Sequence, residues 1–197
     1  MKIILSTIGV VLALFFVTAA AYSKDPMSPK PPRDIYLVGP VNDTSASFVK
    51  VQLDALNAVN DDQITLHITS LGGSVYAGLR IYDDMMESRS PIRTVCEGYC
   101  MSMAAILLAV GDTREASANT TIMFHEVSFG AEGKLTDVKA VTAEAERLQT
   151  LIDKAISERS GLSMSQVRML ERTDNYMSGR EALELGLIDT VRQRRRD

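Results

Sequence analysis

One transition constrains this chain more than any other. Residues 64–69 alternate apolar Ile64, Leu66 and Ile68 with polar Thr65, His67 and Thr69, the period of a half-buried strand. The alternation stops at Leu71-Gly72-Gly73-Ser74, and a helical period replaces it, with Val75, Leu79, Tyr82 and Met86 on one side. The same switch recurs around it. Residues 35–38 are a short apolar run before Gly39-Pro40, and from Ser45 the residues Phe48, Val51, Ala55, Leu56 and Val59 mark a helix face. Pro91 breaks the next helix before a strand over 92–96, and a turn containing Gly98 leads to 102–110, an apolar stretch ended by Gly111-Asp112 that predicts a buried helix. Residues 121–125 predict a further strand, with a hairpin between Gly111 and Thr120 ahead of it. Repeated βα units in this order predict an α/β fold with a parallel sheet.

The remainder reads as helical. Residues 136–160 carry Val138, Val141, Ala145, Leu148, Ile152 and Ile156 on one stripe and stop at Gly161. Ser163 with Gln166, and Ser178 with Glu181, each have the spacing of a capping box, in which hydroxyl and partner satisfy free amides at a helix start. Two short helices follow from them, the second stopping at Gly186.

The ends of the chain are a different polymer. Lys2 precedes an apolar run over 3–17, followed by Ala19-Ala20-Ala21, the layout of a secretory signal with a small-residue cleavage site. Residues 1–21 therefore predict export, to the periplasm; an uncleaved membrane anchor of the same residues is the alternative. Residues 22–33 hold Pro26, Pro29, Pro31 and Pro32 and read as an extended leader, leaving 34–191 as one domain and 192–197 as a basic tail. At 197 residues, 46% hydrophobic, the chain suits one sizeable core. A net charge of -4 with scattered basic residues offers no footprint for nucleic acid. Cys96 and Cys100, four apart, make no disulfide framework and read as ordinary buried thiols; a zinc site would need ligands that neither histidine supplies nearby.

Few residues can carry chemistry. His67 lies inside the alternating strand and reads as a hydrogen-bonded structural histidine, whereas His125 ends a strand, where an α/β fold places its site residues. Ser102 opens the apolar helix after Gly98. It reads either as a helix N-cap or as a nucleophile set where free amides face a developing oxyanion. Gly72-Gly73 turns the chain and also lets backbone amides approach a substrate carbonyl. Asp174, before the second capping box, reads locally as a turn residue.

Several motifs join these positions. Arg33-Asp34-Ile35-Tyr36-Leu37-Val38-Gly39, Gly72-Gly73-Ser74-Val75-Tyr76-Ala77-Gly78, Ile81-Tyr82-Asp83, Ser102-Met103, Ile122-Met123-Phe124-His125 and Tyr176-Met177-Ser178-Gly179-Arg180-Glu181-Ala182 occur in order, and the stretch from Arg33 to Val191 resembles the Clp protease family of serine peptidases. The resemblance implies a ClpP/crotonase-like fold with a protruding strand-helix handle over 128–160. It implies Ser102 as nucleophile, His125 as general base, Asp174 as the orienting carboxylate, and the Gly73 and Met103 amides as oxyanion hole, with no metal or organic cofactor. It also implies peptide or unfolded-protein substrates and a homo-oligomeric ring, a heptamer or double heptamer, fed by an AAA+ unfoldase.

The chain departs from that pattern at defined places. Tyr99-Cys100-Met101 and Ala104 flank Ser102 where the family has smaller groups, and Glu126-Val127 replaces Gln-Pro after the histidine. Asn175 stands where the family carries an arginine that pairs across stacked rings. An export signal and a proline-rich leader occupy the place of pore loops, which puts the unfoldase and its ATP in question. Three rival readings remain at this level: an inactive ring-forming scaffold, a signal-peptide-peptidase-like enzyme using Ser102 with Lys134 or Lys139, and an acyl-CoA enzyme of the crotonase fold.

Overall fold

Period-2 burial is realised most fully in the strand at residues 64–70, where Ile64, Leu66, Ile68 and Ser70 are buried and the residues between them half-buried. The computed structural model describes residues 32–192, so the export segment, most of the leader and all but the first residue of the basic tail lie outside the described residues. In chain order the elements are β1 (Asp34–Val38), α1 (Asp43–Asn57), β2 (Ile64–Ser70), α2 (Val75–Glu87), β3 (Ile92–Met101), α3 (Met103–Ala109), β4 (Thr113–Ser117), β5 (Thr121–Phe124), α4 (Leu135–Ser160), α5 (Met164–Glu171), β6 (Asn175–Ser178), α6 (Gly179–Glu184) and β7 (Thr190–Arg192). The strands form one sheet in the order β1-β2-β3-β4-β7, with β5 pairing both β3 and β6. Every pairing is parallel except β5 with β6. This is the α/β parallel-sheet architecture expected of the repeated βα units.

β3 organises the sheet because it has two working halves. Arg93 to Cys96 pair with β4, and Tyr99 to Met101 pair with β5. The segment between Gly111 and Thr120 is therefore no hairpin: its strand and the next pair with successive stretches of β3, each parallel to it. Between the halves β3 bulges, with Ile68 and Ser70 of β2 facing Cys96 and Cys100, so two steps on one strand oppose four on the other. Gly98, at φ 80°, accommodates the extra residues.

That bulge corrects the reading of the cysteines. Residues four apart in a regular strand stand about 13 Å apart, too far to bridge. Here the Cα atoms of Cys96 and Cys100 are 6.0 Å apart and the two form a disulfide, both fully buried. The strand predicted to stop at Cys96 instead runs on to Met101.

α3 is buried along all seven residues. It lies at the centre of a core that includes Ile35, Leu37, Ile68, Ile81, Phe124 and Ile156, where each large apolar side chain contributes roughly 1.5–3 kcal/mol. The faces of α1 and α2 differ from the predicted stripes. α1 buries Ala46, Val49 and Leu53 and leaves Phe48 and Val51 exposed, and Val59 lies exposed beyond its end; α2 buries Ala77, Gly78, Ile81 and Met85 and exposes Met86. Both helices carry two overlapping apolar stripes, and contact with the sheet selects one. α4 buries nothing before Ala145, so its first ten residues project from the core as the helical part of a handle. The strand part is absent: residues 125–134 pair with no strand among the described residues. β6 and β7 add strand to a region predicted to be helical, while both capping boxes form as expected at Ser163 and Ser178.

Candidate active site

The Gly72-Gly73 turn is shaped by what presses on it. Gly72 has φ 92° and Gly73 φ 149°, a region that L side chains avoid. A Cβ on Gly72 would stand 2.6 Å from the Met101 carbonyl oxygen and 2.7 Å from Ser102 Cβ; one on Gly73 would stand 2.3 Å from the Val41 carbonyl oxygen. The turn is wedged between Val41 and the end of β3, where only glycine fits. Val41 N–H donates to the Gly72 carbonyl at 2.9 Å, Ser74 N–H to the Val41 carbonyl at 2.8 Å, and Gly72 N–H to the buried Ser70 hydroxyl at 3.0 Å. These bonds use the neighbours of the Gly73 amide and leave that amide with no acceptor among the described residues.

Ser102 sits on the turn facing it. Its amide donates to the Met123 carbonyl at 2.8 Å, and its own carbonyl accepts from Ala105 and Ile106 in the first turn of α3. At φ 53° and ψ -129° it is the one non-glycine residue with positive φ among the described residues. Such a backbone costs on the order of 1–3 kcal/mol and persists where the surroundings impose it. Ser102 occupies the N-cap position, yet its hydroxyl makes no capping bond. Capping therefore does not account for the serine. The next residue is anchored by its side chain: Met103 is buried against α2 at Gly78, where a Cβ would come within 2.2 Å of Met103 Cγ. The Met103 amide, like that of Gly73, has no acceptor among the described residues.

Gly73, Ser102, Met103 and His125 line one cleft of about 70 Å³, whose apolar walls are Val75, Ile106, Val127 and Ile152. His125 follows the last residue of β5 and is half-buried. Its Nδ1 bonds the Glu126 carbonyl. A carbonyl only accepts, so the proton is on Nδ1 and the neutral ring keeps a lone pair on Nε2.

Asp174 does not line the cleft. It is exposed in the connection from α5 to β6 and makes no hydrogen bond or ion pair among the described residues. The antiparallel ladder stops one step short of it: Met123 faces Tyr176 and Phe124 faces Asn175, and His125 and Asp174 are the residues next to that last pair on their two strands. Asn175 donates from Nδ2 to the Leu170 carbonyl at 3.1 Å, a bond within the chain.

The other sequence candidates lie elsewhere. His67 bonds Glu97 at 3.1 Å and Asp34 at 3.0 Å and stacks on Tyr36, with ring centroids 4.7 Å apart, in keeping with a structural role. Lys134 and Lys139 are exposed and neither lines the cleft.

Sequence reasoning missed a polar cluster behind His125. Gln149 of α4 lines the cleft, and beside it the carboxyl groups of Asp153 and Glu171 are buried. Burial, together with a hydrogen bond to Asp153, pushes the Glu171 carboxyl up to about 9, so it is neutral at physiological pH. Glu171 is the last residue of a helix with three polar or charged neighbours in sequence, and only its position under the β5 end reveals it.

The Clp protease family model matches residues 29–195, spanning every described element. The chain belongs to the Clp protease family. The family is one of peptidases, some of them inactive, with peptide substrates and typically ring assemblies.

Proposed function

We propose that this chain is a serine endopeptidase with Ser102 as nucleophile, His125 as general base and Asp174 as the carboxylate that stabilises the charged imidazole. The observation that carries this reading is the Ser102 turn: a strained, uncapped serine beside two amides with no acceptor. A scaffold has no use for that arrangement, and an acyl-CoA enzyme would need the amides but not the serine and histidine.

The chemistry follows from the parts. Ser102 Oγ attacks a peptide carbonyl while His125 Nε2 takes the hydroxyl proton. The Gly73 and Met103 amides hold the oxyanion that forms. In the resting chain the Glu126 carbonyl sets the tautomer; Asp174, next to the end of the ladder on one strand as His125 is on the other, stabilises the imidazolium once the proton arrives. His125 then gives that proton to the leaving amine, and water releases the acyl group from Ser102. No metal takes part in these steps. A cleft of about 70 Å³ with walls of Val75, Ile106, Val127 and Ile152 suits a small apolar side chain next to the scissile bond.

The same proposal extends to assembly and place of action. The exposed Phe129, Leu135 and Val141 on the projecting segment supply apolar surface for contact with other subunits of a ring. The layout of residues 1–21 supports export or anchoring, and the Cys96–Cys100 disulfide suits an oxidising compartment. There the enzyme would cleave peptides and loosely folded proteins without an unfoldase or ATP.

Turnover of a fluorogenic peptide by the purified mature protein tests the reading. Ser102→Ala and His125→Ala should each lower kcat by roughly a thousandfold or more. Loss in Ser102→Ala with His125→Ala near the wild-type rate would favour the lysine scheme. Activity that appears only with an added unfoldase and ATP would overturn the ATP-independent part.

A further inference from the structure

The residues behind His125 are joined by a chain of short hydrogen bonds that ends on the histidine itself. The Glu126–Val127 peptide unit presents its carbonyl to His125 Nδ1 on one side and its N–H to Gln149 Oε1, at 2.6 Å, on the other. Gln149 is fixed in turn: its Nε2 donates to Asp153 Oδ1 at 2.6 Å and to Glu171 Oε2 at 2.7 Å. Arg168 donates from Nε to the remaining Asp153 oxygen at 3.0 Å, and the Glu126 amide donates to the Glu171 carbonyl at 2.8 Å. Both amides that follow His125 therefore terminate on this cluster.

We propose that Gln149, oriented by the Asp153–Glu171 carboxyl pair, is a positioning residue that fixes the peptide plane whose carbonyl holds the His125 tautomer. The proposal rests on the serine-peptidase reading and adds residues outside Ser102, His125 and Asp174, of which Gln149 also lines the cleft. A peptide group is rigid and planar, so a bond to its N–H aims its C=O. With the Val127 amide released, the Glu126 carbonyl is free to turn and the imidazole loses the partner that keeps Nε2 unprotonated.

The carboxyl pair explains why the arrangement needs a proton. Glu171 Oε1 is buried and meets no donor among the described residues. On an ionised carboxylate that atom would be an uncompensated charge; protonated, it becomes a donor to Asp153. The groups facing Glu171 are Asp153 and Gln149 from α4, Arg168 from its own helix and Glu126 from the segment after β5, with Glu146 on the same surface cleft. Loss of the proton sets two carboxylates against each other beneath Gln149 and loosens its hold.

Steady-state kinetics on Gln149→Met, Glu171→Ala and Glu171→Gln test this in the full-length mature enzyme, with near-UV circular dichroism to confirm folding. Gln149→Met and Glu171→Ala should lower kcat about tenfold and leave KM within about twofold, because the tautomer acts on proton transfer rather than on binding. Glu171→Gln copies the neutral acid, accepting from Gln149 and donating to Asp153, and should recover most of the loss in Glu171→Ala. Wild-type kcat should decline above pH about 9, and Glu171→Gln should remove that decline. Wild-type kcat in Gln149→Met, or a loss confined to KM, overturns the proposal. So does a Glu171→Gln enzyme as impaired as Glu171→Ala, a comparison that decides the matter if Gln149→Met does not fold. Fluorophosphonate labelling separates this from the parent reading: equal rates in wild type and Gln149→Met overturn the positioning role alone, whereas an unlabelled wild type overturns both.

Discussion

The turn that carries Ser102 and the loop that carries His125 border one cleft but are held in different ways. Around Ser102 the constraint is steric and covalent: two glycines with no room for a Cβ, a buried Met103 and a disulfide two residues upstream. Around His125 the constraint is polar: one backbone carbonyl, a glutamine and a buried carboxyl pair, with Asp174 exposed at the end of a four-residue ladder. Packed backbone holds the proposed nucleophile in one geometry, whereas hydrogen bonds hold the tautomer of the proposed base. The site thus combines a rigid nucleophile half with a hydrogen-bonded base half.

With Ser102 and His125 kept, breaking the base half at Asp174 should have the largest effect. Asp174→Asn should lower kcat by roughly a hundredfold or more, since an amide does not stabilise an imidazolium; peptide turnover checks it. A change within a few-fold would mean that the Glu126 carbonyl alone completes the base half.

On the rigid half, Gly72→Ala meets both the φ of 92° and the contact with Ser102 Cβ. The backbone alone should cost roughly 1–3 kcal/mol of stability in urea unfolding, and kcat should fall with it because Ser102 must move. Unchanged kcat in a destabilised protein would show that the nucleophile turn tolerates displacement.

Removing the disulfide as Cys96→Ala with Cys100→Ala should cost about 2 kcal/mol from the entropy of a short closed loop. The check is urea unfolding of the variant against wild type. The bulge in β3 should persist, because Gly98 and the pairing of Tyr99 to Met101 with β5 do not depend on the bridge.

The smallest effect per step is on pH dependence. Glu171 keeps its proton in the folded chain up to pH about 9, while an unfolded glutamate releases it near 4.5. Between those values the folded state binds more protons than the unfolded one, so stability falls as pH rises, by up to about 1.4 kcal/mol per pH unit. Urea unfolding at pH 6 and pH 8 should show a shallower dependence in Glu171→Gln than in wild type.

The same division explains what could be read from sequence. Periodicity located β1, β2 and the buried α3, and side-chain spacing located both capping boxes, because each is decided by residues close in the chain. The faces of α1 and α2 were not legible, since two apolar stripes compete and only the sheet chooses between them. The disulfide depends on a register shift against β2, and β6 depends on a partner fifty residues earlier, so neither has a local signal. For the proposed site, Ser102, His125, Asp174, Gly73 and Met103 come from motifs in family register, and of these Gly73, Ser102, Met103 and His125 line one cleft while Asp174 does not. Gln149, Asp153 and Glu171 were not legible, because buried carboxyl groups on amphipathic helices look like solvated ones until the fold covers them.

A fluorophosphonate probe reads out whether Ser102 is an activated nucleophile. Labelling of the mature protein, mapped by mass spectrometry, should place one adduct on Ser102, absent in Ser102→Ala and strongly slowed in His125→Ala. A folded protein that takes no label, or takes it on another serine, would show that Ser102 is not the nucleophile.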